Sequence, residues 1–463
     1  MADAATPQAS ALEQPRFWTL DRVADALGDG PRGSTALARI ATDTRSIAAG
    51  DCFVALVGET FDAHDYLAEA VGKGAAALVV NDAKRAAGLG VPVFEVADTQ
   101  RALGRLALYR RRVWGRPVIG VVGTNGKTST KELLRAALSS VLRVHATVGN
   151  YNNLVGVPLT LFALPDDADV AVIEMGTNQP GEVAALRAIV EPDVVVVTSI
   201  AEEHLEGLGD LAGVLREEMS ACDAAPLAVV PASQTEVVDA ARSRARRTVS
   251  AGLDEGDARA ERWGIDADGQ GWLELEGSMV RVPLRGVHNL RNAMLALVVA
   301  RESGVSLADA ARGIGAMPSP PMRVHFESHG RATVINDAYN SNPGSARAAL
   351  ELLEHAGAGR QRVAVLGTML ELGAQADRLH DEMALAALDG PIELVVGVGG
   401  FAEALARVAP GDSRVAMGAD PAAAWDAARS RVHPDAVILL KGSRGVRLER
   451  LVPLISEWAS ATV

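Results

Sequence analysis

The sequence predicts an α/β protein of three domains: a small N-terminal α/β domain, a central parallel sheet and a C-terminal sheet of Rossmann-like type. Three observations lead there. The chain has 463 residues, more than one ordinary core organises. Its apolar runs, such as "DVAVIEMG", "DVVVVTSI", "RVAVLGT" and "IELVVGVG", lack polar alternation and are separated by helical segments. That is the pattern of parallel strands covered on both faces. A proline-rich stretch, "MPSPPMR" (317–323), separates two such series.

Taken in order, residues 1–16 read as a loose leader without the basic start and apolar centre of a secretory signal. In block 17–112, "FWTLDRVADALGD" reads as a short strand feeding a helix. "CFVALVG", "AALVVND" and "VPVFEVAD" are strands bounded by Gly, Asp and Pro, and "AHDYLAEAVGKG" is a helix ending on Gly. Block 113–317 carries "PVIGVVG", "RVHATVG", "DVAVIEMG", "DVVVVTSI" and "LAVVPA" as parallel strands. About 248–284 reads as an irregular antiparallel appendage, after which "GVHNLRNAMLALVVARESG" returns to helix. Block 318–463 carries "RATVIND", "RVAVLGT", "IELVVGVG", "SRVAMG" and "AVILLKGSRG" as strands of a second doubly wound sheet.

Composition narrows the function. Net charge is −13 and no basic run rises above it, which argues against nucleic acid. There is no long uninterrupted apolar stretch, so no membrane span is expected. The two cysteines, Cys52 and Cys222, are far apart and form no framework, which favours the cytoplasm. Only five lysines occur, at 73, 84, 127, 131 and 441, so each is worth inspecting.

In open α/β sheets, ligands sit beyond the carboxyl ends of the strands. Four successive strand ends of the central block carry candidate chemistry there. After "PVIGVV" come Gly123, Thr124, Asn125, Gly126, Lys127 and Thr128. Glycines let backbone N–H groups turn onto phosphate oxygens, the next helix offers its positive end, Lys127 would neutralise phosphates, and the Thr128 hydroxyl would ligate Mg²⁺. The strict phosphate-loop spacing is broken by Val121. Glu174 ends "DVAVIE", His204 follows "VVVVTSI", and Asn150, Asn152 and Asn153 follow "RVHATVG". A strand-end Glu or lone His is ordinarily a solvated or structural residue, and their convergence carries the argument. Asn289 and Asn292 share a helix face, where capping explains at most one of them. In "NDAYNSNPGSA", capping accounts for Asn342 but not for Asp337, Tyr339 or Asn340. Lys441 and Arg444, beyond a strand, form either an anion site or a solvated turn.

The succession "GTNGKTSTK", "GNYNNLVGVPLTL", "VIEMGTNQPGE", "HLEGLGDLAGV", "GVHNLRNAM", "NDAYNSNP", "LGTMLELG" and "LLKGSR" resembles the Mur ligase family over about 17–455. The resemblance implies a UDP-sugar domain, a central P-loop ATPase domain and a C-terminal domain for the incoming amine. It implies an ATP- and Mg²⁺-dependent ligase, with UDP-N-acetylmuramoyl-tripeptide and D-alanyl-D-alanine as substrates, acting as a monomer. Carried residue by residue, it places the phosphates on Gly123 to Thr128, and Mg²⁺ on Thr128, Glu174 and His204. It places adenine near Asn289 and Asn292, and brings Arg323 and Asp337 to the nucleotide from the third domain. Asn150, Asn152 and Asn153 would line the muramoyl-peptide path, with Tyr339 and Asn340 also on the substrate side. Thr44, Arg45 and Ser46 of "TDTRS" resemble the uridine loop. Lys441 and Arg444 would serve the acyl phosphate or the dipeptide carboxylate.

Three departures accompany the resemblance. Thr368 stands where the family pattern has Asp, and Arg323 lacks the usual preceding Gly. Fourteen residues past His204, where most members carry a carbamylated lysine, this chain has Glu218. Glu218 is expected to supply that negative charge permanently. The competing expectations are a sister ligase adding a single amino acid, a folylpolyglutamate synthase-like ligase, a P-loop ATPase that does not ligate, and a non-catalytic UDP-sugar binder.

Overall fold

The computed structural model of the chain describes residues 12–266, 269–318 and 324–461. It divides into two compact units. One comprises Met1–Val121, Leu142–Thr177 and Gly181–Val195; the other comprises Val122–Val141, Asn178–Pro180 and Val196–Val463.

The first unit opens on a helix, Leu20–Leu27. The sequence suggested a strand before it, but only a single bridge forms, Thr19 to Ala36. Thr19 is committed as the helix cap, its hydroxyl accepting from Arg22 N at 3.2 Å. A four-stranded parallel sheet follows in the order β1 (Ile40–Ala41), β2 (Cys52–Val54), β3 (Ala77–Val80) and β4 (Val93–Glu95). The latter three match the predicted runs. The first was missed because two residues carry no periodicity; the parallel register Ile40 to Cys52 defines it. Phe53, Leu78, Leu67 and Val80 build the core of this sheet. The helix Thr99–Trp114 is capped by Asp98 and stopped by the left-handed Gly115. Beyond it, β5 (Val118–Val122), β6 (Val144–Ala146) and β7 (Val170–Glu174) run parallel in the order β5-β7-β6. All residues of β5 and β7 are buried, as an unalternating apolar run requires.

In the second unit, β8 (Val194–Val197), β9 (Leu227–Pro231), β10 (Thr248–Gly252) and β11 (Ala258–Arg259) are neighbours in that order. This corrects part of the expected appendage. "TVSAG" is a parallel strand, in register with β9 from Thr248 opposite Ala228 onward. The turn that follows is rich in Asp, Glu and Gly, which made the stretch read as irregular. Only β12 (Arg262–Ile265), β13 (Gln270–Leu275) and β14 (Ser278–Arg285) are antiparallel. The helix Lys127–Leu138 packs on Val287–Glu302 and Leu307–Gly315. At the latter contact Gly313 is needed, since a Cβ there would lie 2.1 Å from the Ala136 carbonyl oxygen.

A six-stranded sheet completes the unit: β15 (His325–His329), β16 (Ala332–Asp337), β17 (Arg362–Gly367), β18 (Leu394–Val398), β19 (Val415–Gly418) and β20 (Val437–Lys441). Its order is β15-β16-β20-β17-β18-β19, with β15 the antiparallel edge. "HFESH" is polar and half-buried, which hid that edge strand from the sequence reading. The last strand is inserted between β16 and β17, setting Lys441 opposite both Asp337 and Leu366. Of the proline-rich stretch, residues 319–323 lie outside the described residues, and with them the candidate Arg323. Among the described residues, no helix is long and apolar enough to cross a membrane.

Candidate active site

The loop after β5 is shaped by two glycines with positive φ, 117° at Gly123 and 84° at Gly126. A Cβ on Gly123 would stand 2.5 Å from Thr198 Oγ1 and 2.8 Å from the Ser199 carbonyl oxygen. One on Gly126 would stand 2.7 Å from Asn292 Nδ2. Both positions therefore demand glycine for space as well as for backbone angle. The loop is tied to the segment after β8. Thr124 N donates to the Ser199 carbonyl at 2.7 Å, Ala201 N donates to the Thr124 hydroxyl at 3.0 Å, and Asn125 N donates to the Ser199 hydroxyl at 3.2 Å. Lys127 begins the helix and curls back, its ammonium donating to the carbonyls of Gly123 and Thr124. Thr128 follows in the same first turn. A glycine-turned loop, a helix N-terminus and one lysine thus share a single turn, the arrangement that cradles phosphates, while the N–H groups of Gly123, Thr124 and Asn125 donate within the protein.

Glu218 reaches this loop. Its side chain is buried, and Oε2 accepts the Gly123 N–H at 2.8 Å. Burial pushes its carboxyl above the usual range. The Lys127 charge and the Gly123 N–H oppose that rise, and Glu203 and Glu217 add to it. His204 takes a left-handed backbone, φ 53°, and caps the short helix Leu205–Leu208. Its Nδ1 meets the Glu371 carboxylate, and its Nε2 lies 3.9 Å from Glu203 Oε2.

The segment after β16 returns to the loop from the far end of the chain. Asn342 caps the helix Pro343–Ala356 through a capping box, as anticipated. The same side chain also forms a reciprocal amide pair with Asn125, at 2.9 and 3.1 Å. Asn340 Nδ2 donates to Glu203 Oε1 at 2.9 Å. Lys441 is buried beneath the segment, 3.0 Å from Asp337 Oδ2 and bonded to the Asn340 carbonyl. Arg444 follows in the turn after β20. Its side chain is 59% exposed and Nη1 donates to Glu449 Oε1 at 2.9 Å. Tyr339 is half-buried. Thr368, where the family pattern has Asp, accepts the Gly400 N–H at 3.0 Å through its hydroxyl.

Asn289 and Asn292 are both buried. Asn289 Nδ2 donates to the Arg285 carbonyl at 2.8 Å, and Asn292 Nδ2 lies 3.3 Å from Asn289 Oδ1. Neighbouring His288 has its pKa pushed down to about 4, chiefly by burial, so it is neutral at physiological pH.

In the first unit, Glu174 is buried at the end of β7 and accepts from Asn152 Nδ2 at 2.9 Å, so two of the predicted residues are joined. Asn153 Oδ1 accepts from Val155 N and Gly156 N, an Asx turn into the helix Gly156–Phe162. Asn150 precedes it in the same loop. Thr44, Arg45 and Ser46 form one turn of 3₁₀ helix capped by Asp43, to which Arg45 is also paired at 2.7 Å.

The Mur ligase middle domain matches residues 121–300, and the domain described as Mur ligase, glutamate ligase, matches residues 322–444. The chain is 32% identical over 452 residues to the UDP-N-acetylmuramoyl-tripeptide–D-alanyl-D-alanine ligase of Escherichia coli K12, covering 95% of this chain and 98% of that one. The chain belongs to the Mur ligase family. Among solved structures, MurF of Acinetobacter baumannii superposes with a TM-score of 0.87 at 31% identity, covering 96% of this chain and all (100%) of that one. MurF of Thermotoga maritima, solved in complex with ADP, gives 0.82 at 25% identity, covering 92% and 98%.

For a Mur ligase the residues present fit ATP and Mg²⁺. The loop is turned by two glycines that cannot bear a Cβ, a helix begins at its end, and Lys127 is its cation. In the second unit, the oxygen donors Thr128 and Glu218 suit a hard cation. Among the described residues no group of three or more His, Cys, Asp or Glu forms a ready-made metal cage. Mg²⁺ needs none, because it is held by one or two protein oxygens together with phosphate oxygens and water. Four residues in contact with the candidate groups escaped the sequence reading: Glu203, His288, Asn342 and Glu371. Asn342 carried a signal, but capping absorbed it.

Proposed function

We propose that this Mur ligase joins D-alanyl-D-alanine to the C-terminal carboxylate of UDP-N-acetylmuramoyl-tripeptide, converting ATP to ADP and phosphate. A carboxylate oxygen attacks the γ-phosphorus and ADP departs, leaving an acyl phosphate. The dipeptide amine then attacks the acyl carbon. The C–O bond breaks, phosphate leaves with that oxygen, the amine proton goes to solvent and an amide remains. The observation that carries this reading is the tie between the phosphate loop and the C-terminal sheet, Asn125 to Asn342 and Glu203 to Asn340. It places the buried Lys441–Asp337 pair beneath a segment that touches the loop. A site that transfers phosphate between two bound reactants works mostly by positioning and charge neutralisation.

In this reading Gly123 to Thr128 hold the phosphates. Asn289 and Asn292 serve the adenine side, and Arg323 and Asp337 approach the nucleotide from the C-terminal part. Thr128, Glu174, His204 and Glu218 are assigned to Mg²⁺, which when bound offsets phosphate charge. Asn150, Asn152 and Asn153 receive the muramoyl-peptide, Thr44, Arg45 and Ser46 the uridine, and Tyr339, Asn340, Lys441 and Arg444 the reacting or incoming group. The functional division follows 17–112, 113–317 and 318–463, after a leader of 1–16, in a cytoplasmic monomer.

The test is phosphate release with a panel of UDP-muramoyl peptides and acceptor amines. Release should require Mg²⁺-ATP, the tripeptide nucleotide and D-alanyl-D-alanine together. Equal release without an acceptor would mark an ATPase that does not ligate. Preference for a single amino acid would mark a sister ligase.

A further inference from the structure

The loop after β17 lies against the turn that carries His204. Glu206 N donates to the Glu371 carbonyl at 3.2 Å, and Gln375 Nε2 donates to the Gly209 carbonyl at 3.3 Å. Gly373 sits so close that a Cβ would come within 3.2 Å of Glu206 Cα. In this setting the Glu371 carboxylate meets His204 Nδ1. An ionised carboxylate only accepts hydrogen bonds, so Nδ1 carries the hydrogen and, in the neutral ring, Nε2 keeps its lone pair. Among the described residues the nearest carboxylate oxygen to Nε2, on Glu203, is 3.9 Å away, beyond hydrogen-bond reach. Both partners also hold left-handed backbones, φ 53° at His204 and φ 63° at Glu371. Residues other than glycine rarely adopt that region, and two of them facing each other mark a maintained geometry.

We propose that Glu371 is a positioning residue: it locks the His204 ring in the Nδ1–H tautomer and so fixes Nε2 as the nitrogen offered to the metal–nucleotide. The partner comes from beyond the proline-rich stretch, so orientation of the imidazole depends on the C-terminal sheet being seated. The metal part of this inference rests on the proposed role of His204; the tautomer part does not.

The experiment uses the full chain with ¹⁵N-labelled histidine, at a pH where the ring is neutral, comparing wild type with Glu371→Gln, Glu371→Ala and His204→Ala. Long-range ¹H–¹⁵N spectra, assigned by loss in His204→Ala, should show the Nδ1–H tautomer in the wild type and a mixture or the Nε2–H form in Glu371→Ala. Glu371→Gln should retain the Nδ1–H form, because its amide oxygen can accept the same hydrogen. In parallel, Mn²⁺ affinity in the presence of ADP, read by electron paramagnetic resonance, should fall about 10–100-fold in Glu371→Ala and less in Glu371→Gln. An unchanged His204 tautomer in Glu371→Ala overturns the proposal whatever the metal does. Unchanged Mn²⁺ affinity in His204→Ala instead removes the metal role of His204, and leaves the tautomer result to be judged alone.

Discussion

Replacing Lys127 by Ala should lower kcat by about 10²–10³-fold, the usual cost of removing one donor aimed at transition-state charge. The ammonium now rests on the carbonyls of Gly123 and Thr124, inside the loop. Phosphate oxygens are stronger acceptors, and the lysine need move only locally to meet them. Its charge matters most as negative charge shifts during transfer, so the loss should fall on kcat more than on KM for the tripeptide nucleotide. The fold should survive, because among the described residues Lys127 bonds to backbone carbonyls at a half-buried helix start. Steady-state kinetics with circular dichroism as a control checks this. A folded Ala variant with near-normal kcat would show that the phosphates bind elsewhere.

Glu218→Gln should cost about 10²-fold in activity and raise the Mg²⁺ requirement. The substitution isolates charge from shape. A Gln oxygen can still accept the Gly123 N–H that Glu218 now holds at 2.8 Å, so the loop keeps its anchor. What disappears is a buried acid beside Lys127, which burial pushes toward its neutral form and which the lysine opposes, at the position where the family resemblance places a carbamylated lysine. No lysine lies between Lys131 and Lys441, so no neighbour can replace it. Activity of the wild type should accordingly be indifferent to bicarbonate. Glu217→Gln is the control and should leave the Mg²⁺ requirement near wild type. Full activity of Glu218→Gln at low Mg²⁺ would return Glu218 to a purely structural role as the loop's anchor.

Local physics made much of this site legible in advance. Gly123 and Gly126 stand where a strand turns into a helix, and the structure gives each a positive φ and no room for a Cβ. Lys441 was conspicuous as a rare lysine beyond a strand, and strand register sets it on Asp337. Arg444, in the same motif, could not be told apart by type or spacing, and it pairs with Glu449. Asn342 showed its capping role because that involves neighbours three residues away. Its pairing with Asn125 spans 217 residues and has no local signature. Glu371 is the same case, 167 residues from His204. The edge strand β15 and the two-residue β1 were missed because one is polar and the other too short to show a period.

The central claim is that the γ-phosphate passes to a carboxylate and is then displaced by an amine. It is tested most directly by labelling both carboxylate oxygens of the tripeptide nucleotide's terminal residue with ¹⁸O, and weighing the phosphate released during ligation to D-alanyl-D-alanine. Acyl-phosphate chemistry predicts one ¹⁸O in each phosphate and one retained in the new amide. Phosphate free of ¹⁸O, with ATP consumed at the same rate, would mean that the γ-phosphate goes to water, and would contradict the account.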